Sequence, residues 1–226
     1  MKVEDIVKSV RLCIDEEASN PSSLAGADGD DITKMDSIIK DKIGDALRWV
    51  CTNAPSELLS STSAASASGS VDLIYEETNP SRSDNVITPA KTMLKVVRVK
   101  GSKWHRAILG DSMIKEDSDE YLQLKDSYGA TATDDRPQAA LINTKQRKVE
   151  VWPYDGNTFT LTYVKALEDS DISALATGTT IVNLPVLVET SLVYYLAYLL
   201  LSAYGDGRSN RMLEIAIQNL GISDKR

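Results

Sequence analysis

Histidine occurs once in this chain, at His105, between Trp104 and Arg106. As a general base it needs a nucleophile within reach and a carboxylate to orient it. No G-x-S-x-G elbow offers the nucleophile. The carboxylate pairs Asp117/Glu120 and Asp134/Asp135 sit in polar, loop-like sequence, where solvation is the default. Neither a P-loop nor a G-x-G-x-x-G phosphate cradle is present. Cys13 and Cys51 fall on apolar helix faces without C-x-x-C spacing, which suits two buried thiols in a reducing compartment better than zinc or a disulfide. The run Gly26-Ala27-Asp28-Gly29-Asp30-Asp31 lacks the alternating ligands and closing Glu of a calcium loop, and helix capping accounts for it. These residues predict a chain that is not an enzyme and takes no metal and no cofactor. A small acid/base enzyme centred on His105 is one alternative.

Lys95, Arg98, Lys100, Lys103 and Arg106 make the one basic patch in a chain of net charge −8. They are candidate DNA-facing residues, and a DNA-contacting, packaging-associated module is a second alternative function. No aromatic residues alternate with them as a stacking surface requires. A sheet edge protected by charge accounts for the run as well. The acidic balance argues against coating nucleic acid, although an acidic surface can surround DNA without gripping it.

The elements that must position these residues follow from periodicity. Val3, Ile6, Val7, Val10 and Ile14 recur at helical spacing and predict a helix over 3–17, closed by Asn20-Pro21. Ile32, Met35, Ile39, Ile43, Ala46, Leu47 and Val50 predict a second over 32–53, with Trp49 beside the stripe. Ser60–Ser70 is low-complexity and reads as a flexible loop. The period then becomes strand-like. Strands are expected at 71–75 and 94–100, with a bulge where the parity breaks between Val96 and Val97. Residues 103–108 are expected to pair with 94–100, and 148–152 with 158–164 across Pro153-Tyr154-Asp155-Gly156-Asn157, as two hairpins. Ser118 is a candidate N-cap for a helix over 118–127.

The last fifth is the most unusual stretch. Pro185 suits a first helical turn, and nearly every residue from Leu192 to Ala203 is apolar. Such a helix is buried by its own domain, by lipid or by neighbouring subunits. Glu189, Thr190 and Ser191 interrupt it and no Lys/Arg cluster flanks it, so no membrane span is expected. Gly205-Asp206-Gly207 turns into an amphipathic helix over 208–220, and Gly221 suits a left-handed cap. Trp49, Tyr194, Tyr195 and Tyr198 are candidate core or subunit-contact anchors. The first six residues, M-K-V-E-D-I, do not read as a signal peptide, because acids interrupt where an apolar run should be.

Neither helical pair can bury its apolar face alone. The expected class is α+β, a helical bundle from both chain ends (1–59 with 181–226) holding an inserted antiparallel β-rich domain (71–168), with 60–70 as the flexible loop.

This order of elements resembles the head-to-tail adaptor ring proteins of short-tailed bacteriophages, the family of tail tubular protein A and the crAss-like phage ring proteins. The residues that carry the likeness are the helix Asp36–Cys51 with Trp49 near its end, and Glu120-Tyr121-Leu122 ahead of Pro137. The strands around Val151-Trp152-Pro153-Tyr154-Asp155-Gly156 and Leu161-Thr162-Tyr163 follow, and Leu184-Pro185 opens the helix through Tyr198. The Ser-rich stretch and a long 76–92 loop depart from the simplest members. The resemblance implies a virion structural protein at the head–tail junction, made in the bacterial host cytoplasm. It implies a twelve-membered homo-oligomeric ring contacting the portal protein and the next tail ring or nozzle protein. Viral DNA would pass through without sequence-specific contact. It also makes Ile222, Lys225 and Arg226 a candidate portal-docking tail.

Overall fold

The structure is a computed structural model that describes residues 1–16, 29–60, 70–127, 131–142, 147–176, 181–182 and 184–222. It is a mixed α+β protein with two antiparallel-rich sheets. Its contacts divide the chain into two compact units: Met1–Leu58, Ala65–Leu73 and Leu167–Arg226 in one, Leu59–Ala64 and Ile74–Ala166 in the other.

The first unit holds α1 (Val3–Glu16), α2 (Gly29–Asn53), α5 (Asp169–Ala176), α6 (Val186–Ala203) and α7 (Ser209–Asn219), and the chain leaves it within the short α3 (Ser56–Ser60). The central element is α6, which packs against α1, α2 and α7, while α5 lies on α2. Val3, Ile6, Val10, Ile39, Ile43, Leu47, Leu192 and Leu196 are all buried, the stripes that the 3.6-residue period selects. Cys51 is buried with them, whereas Cys13, expected to be buried too, is half-buried. Pro185 stands just ahead of the first turn of α6 as its N-cap rather than within it. Both α6 and α7 end in the same motif. Gly205 and Gly221 adopt φ +68° and +67°, and the following N–H groups of Asp206 and Ile222 return to the carbonyls of Leu201 and Ile217.

The second unit is a sandwich. One sheet has the order β2 (Ile74–Thr78), β10 (Phe159–Lys165), β5 (Met93–Gly101), β6 (Ile108–Leu109). The other has the order β3 (Ser81–Ser83), β4 (Val86–Thr88), β9 (Lys148–Trp152), β8 (Gln138–Ile142), β7 (Ile114–Lys115). Val149 and Val151 from one sheet meet Val96, Val99, Phe159, Leu161 and Tyr163 from the other in a common core. On the far face of the second sheet, α4 (Asp119–Asp126) lays Tyr121 and Leu124 on Ala140 and Trp152. Ser118 does cap α4, accepting from the Tyr121 N–H at 3.3 Å. The expected bulge is present: Val96 and Arg98 pair with the consecutive residues Tyr163 and Thr162, leaving Val97 as the extra residue.

Five expectations are corrected. Residues 71–75 are not one strand, because β1 (Ser70–Val71) pairs in parallel with β11 (Ile181–Val182) in the first unit while β2 begins the second. The 148–152 and 158–164 segments are not a hairpin: β9 pairs with β4 and β8, and β10 pairs with β2 and β5. Alternation marks a buried face, not the partner strand. The 103–107 segment folds back as a turn, leaving only Ile108–Leu109 against Arg98–Val99. Trp104 drives that turn, its indole N–H donating to the Pro153 carbonyl at 3.2 Å and its ring meeting Phe159 edge-on. A side chain at Gly101 would meet the Trp104 ring at 2.9 Å, so only glycine fits there. Fourth, β5 lies between β10 and β6, so Arg98, paired on both sides, does not guard an edge. Last, residues 76–92 are no long loop but carry β2, β3 and β4, turning at Asn79 and Asp84, both with positive φ. Residues 61–69 of the Ser-rich stretch, Asn20-Pro21 and Gly26–Asp28 lie outside the described residues.

Candidate functional site

The candidate anchors gather on the face where α2 and α6 meet. Trp49 stacks on Tyr195 with ring centroids 3.9 Å apart and planes 3° from parallel, and Tyr198 lies 5.5 Å further along. All three, with Tyr194, are half-buried. Burial raises the Tyr195 phenol above its usual pKa, and the nearby Tyr198 and Asp45 add to the shift.

Eight of the eighteen residues of α6 are buried in its own unit. The rest include Val186, which is 74% exposed, Leu187 and the half-buried Tyr194, Tyr198 and Leu199. By length and composition alone α6 is long and apolar enough to cross a membrane. Its buried side binds α7 through a polar contact, the Ser191 hydroxyl donating to the Ala216 carbonyl. At its C-terminal end Arg208 forks onto Asp206, the shortest contact being 2.6 Å, and its guanidinium also reaches the Ile14 carbonyl at 3.3 Å.

Beside the stack runs a groove of about 160 Å³, lined by Lys40, Asp41, Gly44, Asp45 and Arg48 of α2 and by Leu167, Ile172 and Leu175. Its charged residues went unread because they resemble an ordinary solvated helix face. The one available signal was Gly44, a glycine inside a helix, which costs about 1 kcal/mol against alanine without a compensating role. Here an added Cβ would lie 3.6 Å from Leu167 Cδ1, so the glycine lets that leucine approach α2 closely.

The five cations at 95–106 differ in their surroundings. Lys95 pairs with Asp111 at 3.2 Å, and Arg98 pairs with Glu76 at 2.8 Å while its Nε donates to Thr162 at 3.2 Å. Lys100, Lys103 and Arg106 are exposed. His105 contacts Asp135 through Nδ1 with both side chains largely in solvent, and no hydroxyl or thiol nucleophile is hydrogen-bonded to it among the described residues. In the candidate tail, Ile222 is half-buried beyond the Gly221 cap, and Lys225 and Arg226 lie outside the described residues.

One polar cluster in the second unit was not legible in the sequence. Glu150, 4% exposed in the middle of β9, accepts from the Tyr121 hydroxyl at 3.0 Å and pairs with Lys125 at 3.7 Å. Burial raises the Tyr121 phenol, with Glu150 adding to the shift, and the bond that the Lys125 ammonium donates to Tyr121 together with the Glu150 charge raises Lys125. The arrangement fastens α4 to the sheet. No protein-family model matches this chain, and no curated protein is significantly similar to it in sequence.

Proposed function

We propose that this chain is the subunit of a head-to-tail adaptor ring, a virion structural protein joining the portal to the tail and extending the DNA channel. In this reading the two chain ends form one helical bundle and the sandwich is a domain inserted into it. Neighbouring bundles meet around a twelve-membered ring. One end of the ring docks the portal, with Ile222, Lys225 and Arg226 as the contacting tail, and the other meets the next tail ring or nozzle. DNA slides past without sequence-specific contact, and catalysis has no part in the role.

The observation that carries the reading is α6. The most apolar helix of the chain leaves ten of its eighteen residues less than fully buried in its own unit, from the eight buried of eighteen. Seven of those ten are apolar or aromatic, leaving only Glu189, Thr190 and Ser202, and closed homo-oligomers bury such side chains at subunit contacts. The half-buried aromatic row supports the same assignment, since tyrosine and tryptophan favour interfaces where one edge stays polar.

Electron microscopy of the purified protein, alone and mixed with portal, tests the proposal. Closed rings with a lumen wide enough for duplex DNA, seated coaxially on the portal, are expected. A protein that neither assembles nor binds portal refutes it. A second reading rests on the exposed trio Lys100, Lys103 and Arg106, which suits contact with DNA phosphates. Strongly salt-dependent DNA binding, lost in the triple alanine variant, would favour that reading.

A further inference from the structure

The groove on α2 and the outer face of α4 carry complementary patterns. On α2 the row Lys40–Gly44–Arg48 places a cation, a glycine and a cation at successive turns, and Leu167, Ile172 and Leu175 supply the apolar lining of the same groove. On α4 the row Asp119–Leu122–Asp126 places an acid, an exposed leucine and an acid along one face. Leu122 is 57% exposed, the only apolar side chain on that face, and its neighbours in the helix are charged or polar. The cations are about 12 Å apart along their helix and the acids about 10.5 Å along theirs, at 1.5 Å per residue. Among the described residues none of Lys40, Arg48, Asp119 and Asp126 forms an ion pair. Asp41 and Asp45 flank the groove on the adjacent row, and Lys125 stands beside Leu122, 53% exposed and only loosely paired with Glu150.

We infer that the α2 groove receives α4 of a second copy of this chain, with Leu122 entering the groove against Leu167, Ile172 and Leu175 and Asp119 and Asp126 meeting Lys40 and Arg48. The contact joins two different surfaces, so it is heterologous and can propagate around a ring, which an isologous contact cannot. It rests on the ring reading above and names the surfaces by which neighbours would engage. Desolvated carboxylate–cation pairs at both ends set the register, and the leucine between them supplies apolar burial.

Reciprocal charge reversal tests it. The double variants K40E/R48E and D119K/D126K each place like charge across the contact, and all four side chains lie at the surface, so both should fold. In sedimentation velocity each variant alone is expected to remain monomeric where the wild type assembles. An equimolar mixture is expected to assemble again, because every groove then faces an α4 of opposite charge. Leu122→Asp is expected to weaken wild-type assembly by about tenfold or more. Wild-type-like assembly of either double variant alone, or a mixture that stays monomeric while both partners are folded by circular dichroism, overturns the contact and leaves the ring reading standing. A wild-type protein that never assembles overturns both.

Discussion

The two units treat their apolar residues differently. In the sandwich, inward residues of both sheets share one core, α4 covers the far face of the second sheet, and even the polar phase of β9 is buried with a partner for Glu150. In the helical unit the most apolar element is only partly covered, with Val186 and Leu187 exposed and Tyr194, Tyr195 and Tyr198 half-buried. A sheet closed on a second sheet satisfies its own hydrophobic demand. A helix apolar all round needs neighbours on every side, and α1, α2 and α7 occupy only some of them. The difference between the two units is one of closure rather than of composition.

The comparison breaks most sharply at Leu196, which is fully buried in α6. Leu196→Asp places an unpaired charge there at a cost of roughly 3 kcal/mol or more, so soluble expression should be lost. A well-folded Leu196→Asp protein would mean that α6 is not packed as described. Trp49→Ala removes the stacked partner of Tyr195 and should cost about 2–3 kcal/mol in urea unfolding, less than for a fully buried tryptophan. It should also lower the Tyr195 phenol pKa toward its ordinary value by admitting water, readable in an ultraviolet titration.

In the sandwich the corresponding cut is Tyr121→Phe. It leaves the buried Glu150 carboxylate with only the longer Lys125 contact, and about 1–3 kcal/mol should be lost in the same measurement. Exchange of α4 amides should rise before that of the sheet, because the cut loosens the fastening of α4.

pH should separate the units from opposite ends. The Tyr163 phenol in the sandwich is pushed up from 10.0 to about 12, first by burial and then by the nearby Glu77 carboxylate. The folded chain therefore keeps a proton that the unfolded chain releases near 10. Stability supplied by the neutral phenol is complete below that value and falls as pH rises toward about 12. Tyr163→Phe should flatten this alkaline limb in pH-dependent unfolding. The smallest effect belongs to Asp206 in the helical unit, whose carboxyl is lowered from 3.8 to about 2 by hydrogen bonds from Arg208. Its contribution is present above 3.8 and is lost as pH falls through about 2. Solvent screening keeps it slight, and Asp206→Asn should erase only a shallow acid limb near the α6–α7 turn. An acid limb unchanged by that substitution would assign the loss to other carboxylates.

Local features were the legible ones. The apolar stripes of α1, α2 and α7, the Ser118 cap, the Gly221 cap and the Val96–Val97 bulge each depend on residues within a turn or two of one another, and sequence spacing alone determined them. The α+β class followed from the change of period along the chain. Partnership did not follow. Lys148–Trp152 and Phe159–Lys165 alternate as a hairpin would, yet they enter different sheets, because alternation specifies faces while long-range packing chooses neighbours. Glu150 occupies the polar phase of its strand, and only α4 lying over it makes that position buried. Gly44 is one more residue of a helix by spacing, and only the side chains around it make it part of a groove. Those decisions belong to the tertiary structure, since burial is a property of what approaches a residue from elsewhere in the chain, and short-range spacing carries no record of it.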